Sequence, residues 1–275
     1  MVAVTADAPP PVVATTRPRR QIRFGRIAVL LLAGVYFLVP LYAAVRFCLK
    51  DNDGHWTGRF LTGIPHQPGF SDSFTLSVKL AVVTTLLTLA LMVPTAVFVH
   101  LRAPALRRVL DAVTILPIVI PPVVLIVGVL QVAPTRLKGT PYLLALEYVV
   151  LAMPFAYRAL DAGLSALDLR TLVDASRSLG SGWVTTLMRV LLPNLRAAVL
   201  SATVLTVALV LGEYTMATLD QYQTFPVWIV TFEQSNTAQT SVAASLAALV
   251  LTWLVLMAIS AFGERRRGRR TEGES

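Results

Sequence analysis

The acidic residues that could do chemistry in this chain are of two kinds. Asp174 opens an Asp174-Ala175-Ser176 triplet, followed after three residues by Gly180 and after nine more by Val190, Leu191, Leu192 and Pro193. Glu147 and Glu213 lie within or at the end of apolar runs, where a carboxylate is costly enough to count as a functional candidate. Arg170, Asp174 and Arg177 are spaced to share one helical face, with Leu172, Ala175 and Leu179 on another. That spacing suits either a charged docking face or a surface ion-pair ladder. Gly180 stands where a helix needs a positive φ to end, Ser181 can cap the helix that begins after it, and Pro193 suits the first turn of the next apolar run. Val184, Leu187, Met188 and Leu191 recur at helical spacing between them.

Other chemistries lack their residues. There is no Gly-x4-Gly-Lys-Ser/Thr loop to cradle ATP phosphates, so no cofactor is expected on this chain. No His-Glu-x-x-His, Ser-x-x-Lys or paired-carboxylate arrangement supports an enzyme, and none is expected. His55, His66 and His100 are scattered, and a lone Cys48 allows neither a disulfide framework nor a multi-cysteine metal site.

The elements that must position these residues are membrane helices. The 275 residues are 55% hydrophobic and 14% charged, too apolar for an ordinary soluble domain. Runs over residues 27–48, 75–99, 109–132, 141–160, 194–213 and 241–262 can each cross about 30 Å of hydrocarbon. The lipid bilayer tolerates only closed backbone hydrogen bonding, so an all-α integral membrane fold with six transmembrane helices follows. Residues 27–264 form the transmembrane domain, flanked by basic tails over 1–26 and 265–275. Placing both termini in the cytoplasm puts 18 of the 24 Lys and Arg residues inside. The net charge of +9 gathers at the ends of apolar runs, which fits orientation in a bilayer and argues against nucleic acid as a partner. Pro117, Pro121 and Pro122 interrupt the third run, marking a kink that fits a translocation path as well as static packing. Thr224 to Val230 is too short to span and suggests an interfacial or re-entrant helix with Trp228 at headgroup depth, or a packed loop.

The Asp174 to Pro193 pattern resembles the Glu-Ala-Ala, three residues, Gly, nine residues, Ile, one residue, Leu-Pro loop of binding-protein-dependent ABC importer permeases. The spacing matches throughout; Asp174 replaces Glu, Ser176 replaces Ala and Val190 replaces Ile. The likeness covers about residues 74–262. It implies a type I permease fold in the inner (plasma) membrane of a bacterial cell. It also implies that the chain works with cytoplasmic ATPase subunits that use the ATP, a second permease subunit and an extracytoplasmic substrate-binding protein. By this resemblance, Asp174, Ala175, Ser176, Gly180, Val190, Leu192 and Pro193 form the ATPase-coupling loop. The same resemblance makes Pro117, Pro121 and Pro122 pathway candidates, and Glu213 with Tyr214 a structural or gating contact.

The Leu169 to Gly180 run is most similar to spermidine/putrescine-type permeases, which implies a polyamine-like solute. Sulfate, molybdate, iron, thiamine and phosphonate importers remain alternatives, as does an ion-coupled secondary carrier needing no ATPase.

Overall fold

A computed structural model describes residues 24–50, 55–235 and 237–271. The tail expected over 1–26 lies outside the described residues except for its last three positions, and only the backbone to Thr271 is described for the C-terminal tail. The chain divides into two compact units, residues up to Ala43 and residues from Ala44 onward.

Helix α1, Phe24–Cys48, carries Leu30, Leu32, Tyr36 and Phe37 exposed. A helix that is apolar all round is suited to lipid rather than water.

In the second unit, α2 (Arg59–Thr62) and a 3-10 turn, Ile64–His66, precede α3, Phe70–Arg102. Helix α3 starts five residues before the expected boundary. Gly69 (φ 79) makes the left-handed turn that admits it, and the Ser73 hydroxyl donates to the Gly69 carbonyl at 2.6 Å. Next come α4 (Arg107–Val119), α5 (Pro122–Val132) and α6 (Pro141–Ser165). The segment after α6 contains α7 (Leu169–Ser178), α8 (Trp183–Thr186), a π-turn over Leu187–Leu191 and α9 (Leu192–Asn194). The chain finishes with α10 (Arg196–Gly212), α11 (Thr215–Leu219), α12 (Phe225–Ser235) and α13 (Ala238–Thr271).

Four helices, α1, α3, α6 and α13, are long and apolar enough to cross a membrane unbroken. The expected third and fifth spans are bent pairs instead, and counting each pair as one span brings the described residues to six. Residues Pro104–Val119 meet α5 at 102°. A residue before proline is driven out of the α region, and two prolines in succession do this twice: Ile120 and Pro121 have ψ of 125° and 135°. Residues Trp183–Asn194 meet α10 at 79°, with Pro193 giving no N–H to the helical ladder just before the break. Pro193 therefore lies in the short α9, not in the first turn of the long helix.

Helices α3, α6 and α10 form the centre. Small residues let them approach: Ala152 and Ala156 on α6 and Ala202 on α10 are fully buried, and a Cβ placed on Gly163 would lie 2.4 Å from the Ala198 Cβ. Three apolar clusters follow one another along α3. The first, around Phe225, Trp228 and Ile64, packs on Phe70 and Phe74; the second contains Leu80, Ala81, Leu144 and Val210; the third joins Ala96 and Val97 to Leu160, Leu164, Leu169 and Val173.

The segment around Trp228 is the helix α12, and Trp228 is enclosed by protein. It is 4% exposed, stacks on Phe225 and Phe232, and donates its indole N–H to the Pro68 carbonyl at 2.9 Å. The rings of Phe70, Phe225 and Phe232 surround it, and the polar handle is satisfied within the protein.

Candidate functional site

The candidate loop begins where α6 stops. Asp168 occupies the N-cap of α7, and its carboxylate accepts the Thr171 hydroxyl at 2.7 Å and the Thr171 backbone N–H at 3.3 Å. Those bonds hold the Asp168 carboxyl below the usual aspartate range. Thr171 three residues after an aspartate is a sequence-visible capping signal that the spacing argument passed over.

Helix α7 buries Leu169, Val173 and Ser176, a stripe at four- and three-residue spacing that joins the cluster around Leu160 and Leu164. This corrects the expected apolar face: Leu172 is half-buried, Ala175 is exposed and Leu179 is 85% exposed. Asp174 is exposed. The ion pairs among the described residues are His100–Asp161, Arg107–Asp161 and Arg158–Asp111, so Arg170, Asp174 and Arg177 do not form a ladder. They line a cavity of about 250 Å³ together with Leu101, Arg102, Val173 and Trp183.

Gly180 turns the chain with φ 82, the left-handed conformation the sequence calls for. The Ser181 N–H reaches back to the Ser176 carbonyl at 3.2 Å, and the N-cap of α8 is Gly182 with no side-chain cap, so Ser181 does not cap α8 as expected. Ser176 has a different partner. Its hydroxyl lies 3.0 Å from the Thr186 hydroxyl, both buried. Thr186 already donates to the Gly182 carbonyl at 3.1 Å, which leaves Ser176 as the donor to Thr186. This pair ties α7 to α8.

Past the turn, Val184 and Met188 are 71% and 57% exposed, Leu187 is half-buried and Leu191 is fully buried. Leu179, Val184 and Met188 thus present large apolar groups outward on either side of Gly180. Val190, Leu192 and Pro193 are half-buried at the far end, where Asn194 Nδ2 donates to the Val190 carbonyl at 2.7 Å.

Glu213 and Tyr214 lie at the opposite end of α10, about 25 Å of helix away from the loop. Glu213 Oε1 accepts the Met216 N–H at 2.9 Å, while Oε2 accepts the Tyr148 hydroxyl at 2.9 Å and the Ala217 N–H at 3.3 Å. The carboxylate caps α11 and fastens the α10–α11 corner to α6. Tyr148 has no sequence signal for this contact, being 65 positions away. Glu147, on the same helix, is 2% exposed, and neither of its carboxylate oxygens has a hydrogen-bond partner among the described residues. Pro117 is buried, Pro121 exposed and Pro122 half-buried.

These features define a helical membrane protein with a helix–turn–helix offered at one end and broken spans within. Residues 92–269 match the family described as binding-protein-dependent transport system inner membrane component, and the chain belongs to that family. It is a multi-pass inner-membrane transport protein. It is 32% identical over 214 residues to a probable molybdenum ABC transporter permease protein of Haloferax volcanii, covering 73% of this chain and 76% of that one. Its fold is similar to a bacterial ABC transporter involved in the import of the acidic polysaccharide alginate (TM-score 0.67, 12% identity, 88% of this chain and 94% of that one). It is likewise similar to a bacterial alginate ABC transporter in complex with an alginate pentasaccharide-bound periplasmic protein (TM-score 0.65, 15% identity, 90% and 95%).

Proposed function

We propose that this chain is a permease subunit of an ATP-driven importer, and that residues 169–193 are the segment through which ATPase subunits act on it. The observation that carries this reading is the exposed loop itself. Leu179, Val184 and Met188 stand clear of the protein around a Gly180 turn, beside an exposed Asp174 that has no ion-pair partner among the described residues. Apolar side chains of that size are exposed together where a partner covers them. The segment is braced from behind by Ser176–Thr186 and by Leu169 and Val173, so a push on it is transmitted and not absorbed.

On this reading both termini are cytoplasmic, ATP is bound by the partner, a second permease subunit completes the pathway, and a binding protein delivers the solute at the Glu213 end. Closure of the ATPase dimer moves the loop as a rigid body and switches the access of the pathway. Glu213 and Tyr214 belong to the corner that must hold during the switch, and the α4–α5 break at Pro121 and Pro122 lines the path. An ion-coupled carrier fits less well with membership of a binding-protein-dependent family.

For the solute, the molybdenum relative favours an oxyanion of the molybdate type. The Leu169 to Gly180 run supports the second reading, a polyamine such as spermidine. Purification from native membranes in mild detergent tests the assembly, and uptake of labelled molybdate and spermidine by the reconstituted complex tests the solute. An ATPase and a second permease recovered with this chain support the reading; a chain that purifies alone and moves neither solute with ATP refutes it.

A further inference from the structure

Away from the loop motif, one carboxylate gathers the ends of three helices. Asp161 lies in the last turns of α6. Its Oδ1 accepts Nε of Arg107 at 2.8 Å and its Oδ2 accepts Nη2 at 2.7 Å, a side-on fork to the first residue of α4. The same Nη2 donates to the Ser165 hydroxyl at 2.8 Å. From the end of α3, His100 Nε2 stands 3.2 Å from Asp161 Oδ1, and its Nδ1 donates to the Ala96 carbonyl at 2.9 Å. The His100 side chain is 8% exposed; Asp161 and Arg107 are partly exposed.

We propose that Asp161, Arg107 and His100 form the joint that carries movement of α7 into the broken pair α4–α5, a positioning role in transport. The proposal rests on the reading of residues 169–193 as the ATPase-contacting segment. Only Ala166, Leu167 and Asp168 separate α6 from α7, and Leu169 and Val173 pack into the same cluster as Leu160 and Leu164, so the end of α6 follows α7. Helix α4 needs a grip to follow in turn. Its buried residues, Thr114 and Pro117, lie in its second half; in its first turn the half-buried Leu110 rests on the cluster around Leu160 and Leu164, and the Arg107 fork adds a directional tie to that apolar contact. Apolar faces slide past one another, whereas a two-bond fork between planar groups resists sliding and rotation as well as separation.

A displaced Asp161 therefore draws Arg107 with it. Helix α4 then turns about Ile120 and Pro121: the Ile120 N–H closes α4 on the Leu116 carbonyl, the Pro121 carbonyl opens α5 by accepting from Val124 and Leu125, and Pro121 and Pro122 have no N–H to bond across the break. His100 Nε2, close to Asp161 Oδ1 but without a hydrogen-bond partner among the described residues, sets that carboxylate against the end of α3, the longest helix of the central group.

The test uses the assembled importer in liposomes, reading ATP hydrolysis together with uptake of molybdate and spermidine. Asp161→Asn removes the charge and half of the fork's acceptor symmetry while keeping the shape. We expect the ATPase subunits to remain bound, hydrolysis to continue, and solute moved per ATP to fall about tenfold, the worth of one charge-assisted hydrogen bond. Asp161→Glu, which keeps the charge, should recover part of the ratio. An unchanged ratio in Asp161→Asn overturns the joint. So does a parallel loss of hydrolysis and uptake at constant ratio, which is what a static clamp would give. Should that variant fail to assemble, Arg107→Lys, charged but without a fork, decides by the same ratio. If the wild-type complex neither binds an ATPase nor couples, the functional reading fails first; if the wild type couples and both variants couple equally well, only the joint fails.

Discussion

Replacing Gly163 by alanine should wedge apart the two helices that flank the candidate loop. A Cβ at Gly163 would lie 2.4 Å from the Ala198 Cβ and 3.7 Å from the Ala198 Cα. Carbon atoms in contact sit about 3.5–4.0 Å apart, so α6 and α10 must separate by about 1 Å or more at this level, and neither methyl group has a rotamer through which to escape. Overpacking of this kind costs about 1–3 kcal/mol. Alanine also favours the helix over glycine by about 1 kcal/mol, which would mask part of the loss. Gly34→Ala in α1 supplies the correction, because nothing lies within 4 Å of its Cβ and it gains the same propensity. The difference between the two variants isolates the steric cost. The assay follows thermal unfolding in detergent with a fluorogenic thiol probe, since Cys48 is the lone cysteine and is fully buried. Gly163→Ala should melt several degrees below Gly34→Ala. Equal or higher melting for Gly163→Ala would refute the close approach of α6 and α10.

The other expectations concern the loop and the far end of α10. Gly180→Ala meets no neighbour within 4 Å, so its cost is backbone strain alone, about 1–2 kcal/mol, and ATPase recovery should weaken; unchanged recovery and uptake would remove the turn from the docking argument. Asp174→Arg should leave the chain inserted while uptake is lost, because the side chain is exposed and has no ion-pair partner among the described residues; normal uptake would relieve Asp174 of any contact role. Glu213→Gln should destabilise by about 1–3 kcal/mol through its Tyr148 and backbone partners. Combined with Tyr148→Phe in a thermal-unfolding cycle, it should be less than additive by at least about 0.5 kcal/mol, and strict additivity would show that the bond is not made.

The parts of this fold that could be read in advance are those where one residue dictates its own backbone. Gly180 ends α7 in the left-handed region as its place in the pattern requires, and the Pro121-Pro122 pair breaks its span because each proline constrains the residue before it. What could not be read depended on partners far along the chain. The buried face of α7 is not legible because Leu179, an apolar residue at helical spacing, looks the same in sequence whether it is core or a surface awaiting a partner; docking of Leu169 and Val173 on the end of α6 decides which. Ser176 stands where the pattern has alanine, yet it makes a buried bond to Thr186 across the turn. Arg107 and Asp161 are 54 positions apart, and no periodicity connects them. The ring of Phe70, from another helix and 158 positions away, packs edge-on against Trp228, a contact that residue type alone does not announce.

The π-turn over Leu187–Leu191 gives the spacing of the motif a meaning beyond reach. A π-turn is an α-helix holding one surplus residue. The interval from Gly180 to Val190 therefore includes a position that serves to offset winding, as a leap day corrects a calendar. Excising one residue there would restore an ordinary helix and rotate everything before it by about 100°, carrying Thr186 away from Ser176 and Trp183 away from α7. In comparisons among kindred chains, a one-residue gap in this stretch would thus record a turned face rather than a trimmed loop.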